Sequence, residues 1–145
     1  MMGPRRKGRI LAVQALFAYD FTRCGIENLT HFSWAKKENS HDVDKNIRNF
    51  AALLVAGTLE NLESIDMAIT KRLEHWDFNR LNHIDLAILR ISTYSLLYMK
   101  DVPASVVIDE AVDIAKDFGT DESYRFINGV LDGIRKEQEG ASDDA

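Results

Sequence analysis

His83-Ile84-Asp85-Leu86-Ala87-Ile88-Leu89-Arg90-Ile91-Ser92-Thr93-Tyr94-Ser95-Leu96-Leu97-Tyr98-Met99 decides the fold class of this chain. Its apolar residues, among them Ile84, Ala87, Ile88, Ile91, Tyr94, Leu97 and Tyr98, fall on nearly every side of a helix with 3.6 residues per turn. A helix that is apolar all round has no face to give to water, so it belongs in the centre of a bundle. Asp101-Val102-Pro103 ends it. Arg90 stands out within it: either its stem reaches to the surface, or it pairs with a carboxylate on a neighbouring element. The functional alternative is an arginine at an interface.

The flanking segments carry helical periodicity as well. On the carboxyl side, Pro103 is placed as the first residue of a helix with Val107, Ala111, Ile114 and Phe118 on one face. Gly119 stops it in a left-handed cap. Thr120 then caps a last helix whose first turn holds Asp121 and Glu122, opposite the positive end of the helix dipole. Ile127, Val130, Leu131 and Ile134 form its buried face. On the amino side, Trp76 to Asn82 is a connector with buried aromatics. Before it, Ile47, Phe50, Leu54 and Leu59 continue into Leu62, Ile65, Ile69 and Leu73. That stripe is either one helix of about 45 Å or two helices meeting near Asn61, and compactness favours the break. Asp42 or Asp44 caps its start. Residues 25–41 are polar and irregular, with Leu29, Phe32 and Trp34 pinned to the body. The first helix runs from Pro4 to about Arg23, with Ile10, Val13, Phe17 and Phe21, and Leu16 beside them, as its stripe and Gly25 as its stop. The pattern predicts an all-α chain with one domain over residues 1–139, no internal repeat, and a disordered acidic tail over residues 140–145.

Composition narrows the function. Hydrophobic residues make up 46% of the 145 residues and charged residues 28%, too apolar for a disordered chain and enough for one core. Cys24 is the only cysteine, so neither a disulfide within the chain nor a Cys-x-x-Cys motif exists, and a reduced compartment follows. Basic residues followed by the run Ile10 to Tyr19 imitate a secretory signal, yet Gln14 interrupts the run and no small-x-small cleavage site follows. No run reaches the ~20 apolar residues of a membrane span. The expected location is cytoplasmic. His31, His41, His75 and His83 show no metal-ligand spacing, no phosphate-binding glycine loop is present, and no catalytic constellation or cofactor is expected.

Charge is distributed unevenly. The net charge is −5, but residues 1–19 hold four basic side chains and no acid, leaving −9 on the other 126. Arg5-Arg6-Lys7-Gly8-Arg9 is the strongest local signal. Arg5 and Arg9 lie one turn apart on a helix, and guanidinium groups grip phosphate and stack on unpaired bases. Four cations at the positive end of a helix repel its dipole, a cost that makes sense where an anion normally sits. Four phosphate contacts to a single strand correspond to a salt slope of about −3, too little for tight binding without a second surface. The competing reading is a frayed, solvated terminus. Asp109, Glu110 and Asp113 read as a solvated face or a protein contact. Phe126 points away from the Ile127–Ile134 stripe and either stacks a base beside Arg125 or closes the core edge.

Three blocks of sequence resemble the NusB family of bacterial transcription antitermination factors. The first is Arg5-Arg6-Lys7-Gly8-Arg9 with Ala12-Val13-Gln14-Ala15-Leu16-Phe17. The second is Asp85-Leu86-Ala87-Ile88-Leu89-Arg90-Ile91 with Tyr94. The third runs from Val102-Pro103 through Ile108-Asp109-Glu110-Ala111, Ala115-Lys116 and Phe118-Gly119 to Phe126-Ile127-Asn128-Gly129-Val130-Leu131-Asp132. The resemblance implies about seven helices in two small three-helix-type subdomains. It also implies a complex with the ribosomal protein NusE that grips the single-stranded boxA element of nascent ribosomal RNA, within an antitermination assembly on RNA polymerase. RNA contacts carried over are Arg5, Arg6, Lys7 and Arg9, with Phe17, Phe118, Glu122 and Phe126. Asp85, with Arg90 nearby, falls near the protein-partner surface, and a homodimer is a further possible state. Gly8 weakens a helix by about 1 kcal/mol relative to alanine, which leaves open whether the turn before Ile10 is ordered in the free chain or orders on binding. Some ribosomal RNA methyltransferases carry a similar module, but 145 residues leave no room for their catalytic domain. The alternatives are a helical protein-binding scaffold without direct RNA contact and, more remotely, an enzyme using Cys24.

Overall fold

The computed structural model describes residues 3–22, 45–73 and 77–144. Among them the chain forms six α-helices and no strand: α1 (Pro4–Thr22), α2 (Lys45–Glu60), α3 (Leu62–Lys71), α4 (His83–Tyr98), α5 (Ala104–Phe118) and α6 (Ser123–Asp144). A single 3₁₀ turn, Phe78–Arg80, leads into α4. The all-α class is as expected, with six described helices against an expected seven. The expected features at Phe21, Cys24, Leu29, Phe32, Trp34, His31, His41, Asp42, Asp44, His75 and Trp76 lie outside the residues whose side chains are described.

α4 touches each of the other five helices, the position its apolar circumference predicts. Asn82 starts it, its side-chain oxygen accepting the Ile84 N–H at 2.8 Å. The long stripe upstream does break at Asn61. There the Asn61 Nδ2 donates to the Gly57 carbonyl at 2.8 Å, competing with the backbone for an acceptor of the last turn of α2. Gly57 lets α2 approach α4, because a Cβ there would overlap the ring of Tyr94. On α1 the buried face is centred on Ala12 and Leu16, with Leu11, Val13 and Ala15, whereas Ile10 and Phe17 of the expected stripe are half-buried at its edge. Small residues carry little hydrophobic signal, yet they let α1 sit close to α2 and α4.

Arg90, 5% exposed, is tied inside the bundle. Its Nε and Nη2 donate to the two carboxylate oxygens of Asp66 on α3, each at 2.9 Å, and Nη1 donates to Asp20 on α1 at 2.9 Å. Burial opposes the charge, and the two carboxylates outweigh it, so the guanidinium pKa lies above its ordinary value. The pairing alternative therefore describes Arg90, and the side chain does not reach the surface.

Four boundaries differ from expectation. α5 begins at Ala104, with the Pro103 carbonyl accepting from Val107 at 3.2 Å. Gly119 is extended (φ −94°, ψ −170°), not left-handed. Glycine is needed there for space, since a Cβ would lie 2.6 Å from Ser123 Cβ and 2.9 Å from the Ala115 carbonyl oxygen. α6 starts at Ser123 instead of just after Thr120, because the Ser123 hydroxyl accepts the Thr120 N–H at 2.9 Å and folds Asp121 and Glu122 into the preceding turn. α6 also continues through Gly140 to Asp144, where a disordered tail was expected. None of the described helices is long and apolar enough to cross a membrane.

Removing Arg90 leaves the buried Asp20 side chain and the partly exposed Asp66 without their guanidinium partner. Arg90→Ala is expected to lower stability by about 3–5 kcal/mol, read as a lower urea midpoint at unchanged slope; a loss below about 1 kcal/mol would contradict the role of this ion pair.

Candidate nucleic-acid interface

The site begins at the first turn of α1. The Gly3 carbonyl accepts the Lys7 N–H at 3.1 Å, and Gly8 sits inside the helix against α2. A Cβ at Gly8 would lie 2.6 Å from Phe50 Cδ2. The Phe50 ring fills that slot, with the guanidinium carbons of Arg5 and Arg9 at 4.3 and 5.4 Å from its centroid. Two cation–π contacts of about 0.5–1 kcal/mol each, plus burial of the ring, outweigh the ~1 kcal/mol that glycine costs a helix. Helical order at the start is therefore present in the free chain, which resolves the question that Gly8 raised about the first turn.

The four cations do not form one solvent-facing set. Arg5 and Lys7 are exposed. Arg6 is half-buried: its Nε donates to Glu110 Oε2 at 2.8 Å, its Nη2 contacts the same oxygen, and Nη2 also donates to Asp113 Oδ2 at 2.7 Å. The hydrogen bond to Glu110 chiefly raises its pKa above the ordinary guanidinium value. Arg9 is 6% exposed, and its Nη1 lies 3.8 Å from Glu110 Oε1. Burial pulls its pKa below the ordinary value despite Glu110. Arg6 and Arg9 thus brace α1 to α5. Glu110 and Asp113 make that intramolecular contact, while Asp109 stays exposed.

Two clefts flank the start of α4. The first, about 200 Å³, is lined by Ile10, Val13, Gln14 and Phe17 of α1, Ile84 of α4, and Ile114 and Phe118 of α5. It brings Phe17 and Phe118 together, Phe118 being 46% exposed. His83 meets the Phe17 ring edge-to-face at 6.4 Å, and its Nδ1 lies 3.1 Å from Asp20. The second cleft, about 630 Å³, gathers Asp85, Glu122 and Phe126 with Arg80 and Arg125. Phe126 is half-buried and Glu122 exposed. Asp85 is 8% exposed, and its Oδ1 has no hydrogen-bond partner among the described residues. Neighbouring positions on α4, Ile84 and Asp85, therefore serve different clefts.

Sequence reasoning missed Phe50, Gln14, Asp20 and Arg80 as parts of this surface. Phe50 was visible only as a stripe residue, and nothing local to Arg80 or Asp20 marks them. Among the described residues no three His, Cys, Asp or Glu side chains gather as metal ligands.

A sequence profile described as the NusB family matches residues 6–136. The transcription antitermination protein NusB of Treponema pallidum (strain Nichols) is 56% identical over 135 residues, covering 91% of this chain and 92% of that protein. That of Treponema denticola is 49% identical, covering 90% and 95%. Among solved structures, T. maritima NusB superposes with a TM-score of 0.81 at 41% identity, covering 94% of each chain. A chain from the crystal structure of antitermination factors NusB and NusE in complex with dsRNA gives 0.80 at 27% identity, covering 94% of this chain and 99% of that one.

Asp85 is costly where it stands. Burial pushes its pKa above the ordinary carboxylate value, a shift partly offset by a hydrogen bond with Ser123. The folded state then holds the proton more tightly than the unfolded state, so stability falls as pH rises from the ordinary value through the raised one. Asp85→Asn is expected to stabilise the chain by on the order of 1 kcal/mol at neutral pH, with the gain vanishing below pH ~4. Thermal melts across pH check this; a pH-independent effect would contradict it.

Proposed function

Because the chain belongs to the NusB family of transcription antitermination proteins, we propose that it binds the boxA element of nascent ribosomal RNA together with the ribosomal protein NusE. The observation that carries this reading is the ordered first turn of α1, which holds Arg5 and Lys7 in solvent on the helix that also lines the Phe17–Phe118 cleft. Phosphates meet Arg5 and Lys7, Arg6 joins from its ion pair, and Arg9 acts from beneath as a positioning residue. A single strand suits the first cleft, where Phe17 and Phe118 offer apolar faces to an unstacked base. The NusB-like neighbour solved with NusE and dsRNA supports RNA and NusE as the partner classes.

The second cleft suits the protein partner. Asp85 offers a buried carboxylate oxygen in need of a donor, with Glu122 and Phe126 at the border between protein and RNA. Arg90 contributes indirectly, by fixing α4. In this reading residues 1–139 work as one adaptor in the RNA polymerase antitermination complex, in the cytoplasm where transcription runs, and not as an enzyme.

Replacing Arg5 and Lys7 together with alanine is expected to weaken binding to a short single-stranded boxA RNA and to reduce the salt slope by about 1.4, at unchanged helical content. Filter binding across a salt series, with circular dichroism, measures both. Unaltered affinity and slope would favour the helical protein-binding scaffold instead.

A further inference from the structure

Arg6 presents the fork with which arginine holds phosphate, and in the free chain that fork is already filled. Glu110 is the fixed arm. Its side chain is 16% exposed, and it serves both Arg6 and Arg9. Asp113 is different: its side chain is 44% exposed, and its one ion pair among the described residues is with Arg6 Nη2. It occupies Nη2, half of the Nε–Nη2 fork through which Arg6 could grip a phosphodiester side-on. An exposed carboxylate is also the group that water and a competing anion displace most cheaply, since such pairs contribute little in solution.

We propose that Asp113 is a built-in competitor for RNA, its carboxylate occupying the phosphate position on Arg6 until the RNA backbone replaces it. This rests on the RNA reading given above and adds the regulation of that site. Exchange swaps one oxyanion for another at Nη2 and leaves the Glu110 hydrogen bond from Nε in place. It also leaves the released Asp113 charge beside a phosphate, a repulsion that lowers affinity further and discriminates against loosely placed backbones. The terminus therefore acts with fewer than four free charges, and its affinity is set partly by an acid on α5.

The test is a mutant cycle on the full chain, using a short single-stranded boxA RNA with and without NusE. Asp113→Asn is expected to bind about two- to fivefold tighter at low salt, the gain fading at high salt. In an Arg6→Gln background the same substitution should give no gain. Asp113→Ser repeats the measurement with a smaller side chain, and circular dichroism checks helical content in every variant. Asp101→Asn, twelve residues before Asp113 and ahead of α5, removes the same charge away from Arg6 and controls for net charge. The proposal is overturned if Asp113→Asn binds no better than the parent, if the gain survives in the Arg6→Gln background, or if Asp101→Asn matches it. Loss of binding in the Arg5→Ala, Lys7→Ala double variant without any gain in Asp113→Asn overturns the competitor alone. Binding untouched by that double variant overturns the RNA reading, and the competitor with it.

Discussion

Arg90 lies on the helix that touches all the other described helices, and the guanidinium buried there is neutralised by carboxylates delivered from α1 and α3. Asp66 brings α3 to α4, and Asp20 brings the far end of α1. The consequence reaches the surface in three steps. Asp20 also holds the Nδ1 of His83, and His83 meets the edge of Phe17, which lines the first cleft. A charge in the core thus determines where an aromatic ring at the rim is presented. Apolar packing alone would leave α1 freer to rotate about its axis, because much of its buried face is alanine.

α5 completes the surface from the other side. Glu110 and Asp113 draw the start of α1 inward, while Ile114 and Phe118, about one turn further on, form the opposite wall of the cleft beside Phe17. Gly119 and Ser123 then turn the chain so that Glu122 and Phe126 arrive next to Asp85. The charged turn of α1, the apolar cleft and the cleft around Asp85 follow one another along a single seam.

Much of this was legible in the sequence. The apolar circumference of His83–Met99 placed α4 in the centre, Asn61 marked the break, and the three motif blocks pointed to the family to which the chain belongs. Several of the misreadings involve residues whose role depends on a distant neighbour. Arg9 belongs with three surface cations when read along the chain, and only the approach of Glu110, a hundred residues away, puts it inside. Gly119 resembles a left-handed cap because glycine has two uses, and space for Ser123 is the one realised here. Ile10 and Phe17 outweigh Ala12 and Ala15 in a hydrophobicity pattern, yet the small residues face the core. At Gly8, intrinsic helix propensity pointed the wrong way because Phe50 lies far off in sequence.

That ring against Gly8 has an energetic meaning of its own. A basic arm that is a random coil when free must lose backbone and side-chain entropy each time it docks, and this loss is subtracted from every phosphate contact it makes. Here the backbone of residues 4–9 is already helical and Arg5 is already stacked. In the proposed RNA reading, the ordering cost falls on folding, once, and not on each encounter with RNA. A short run of cations can then act as a preorganised comb, gaining in selectivity for backbone geometry what it lacks in number of charges.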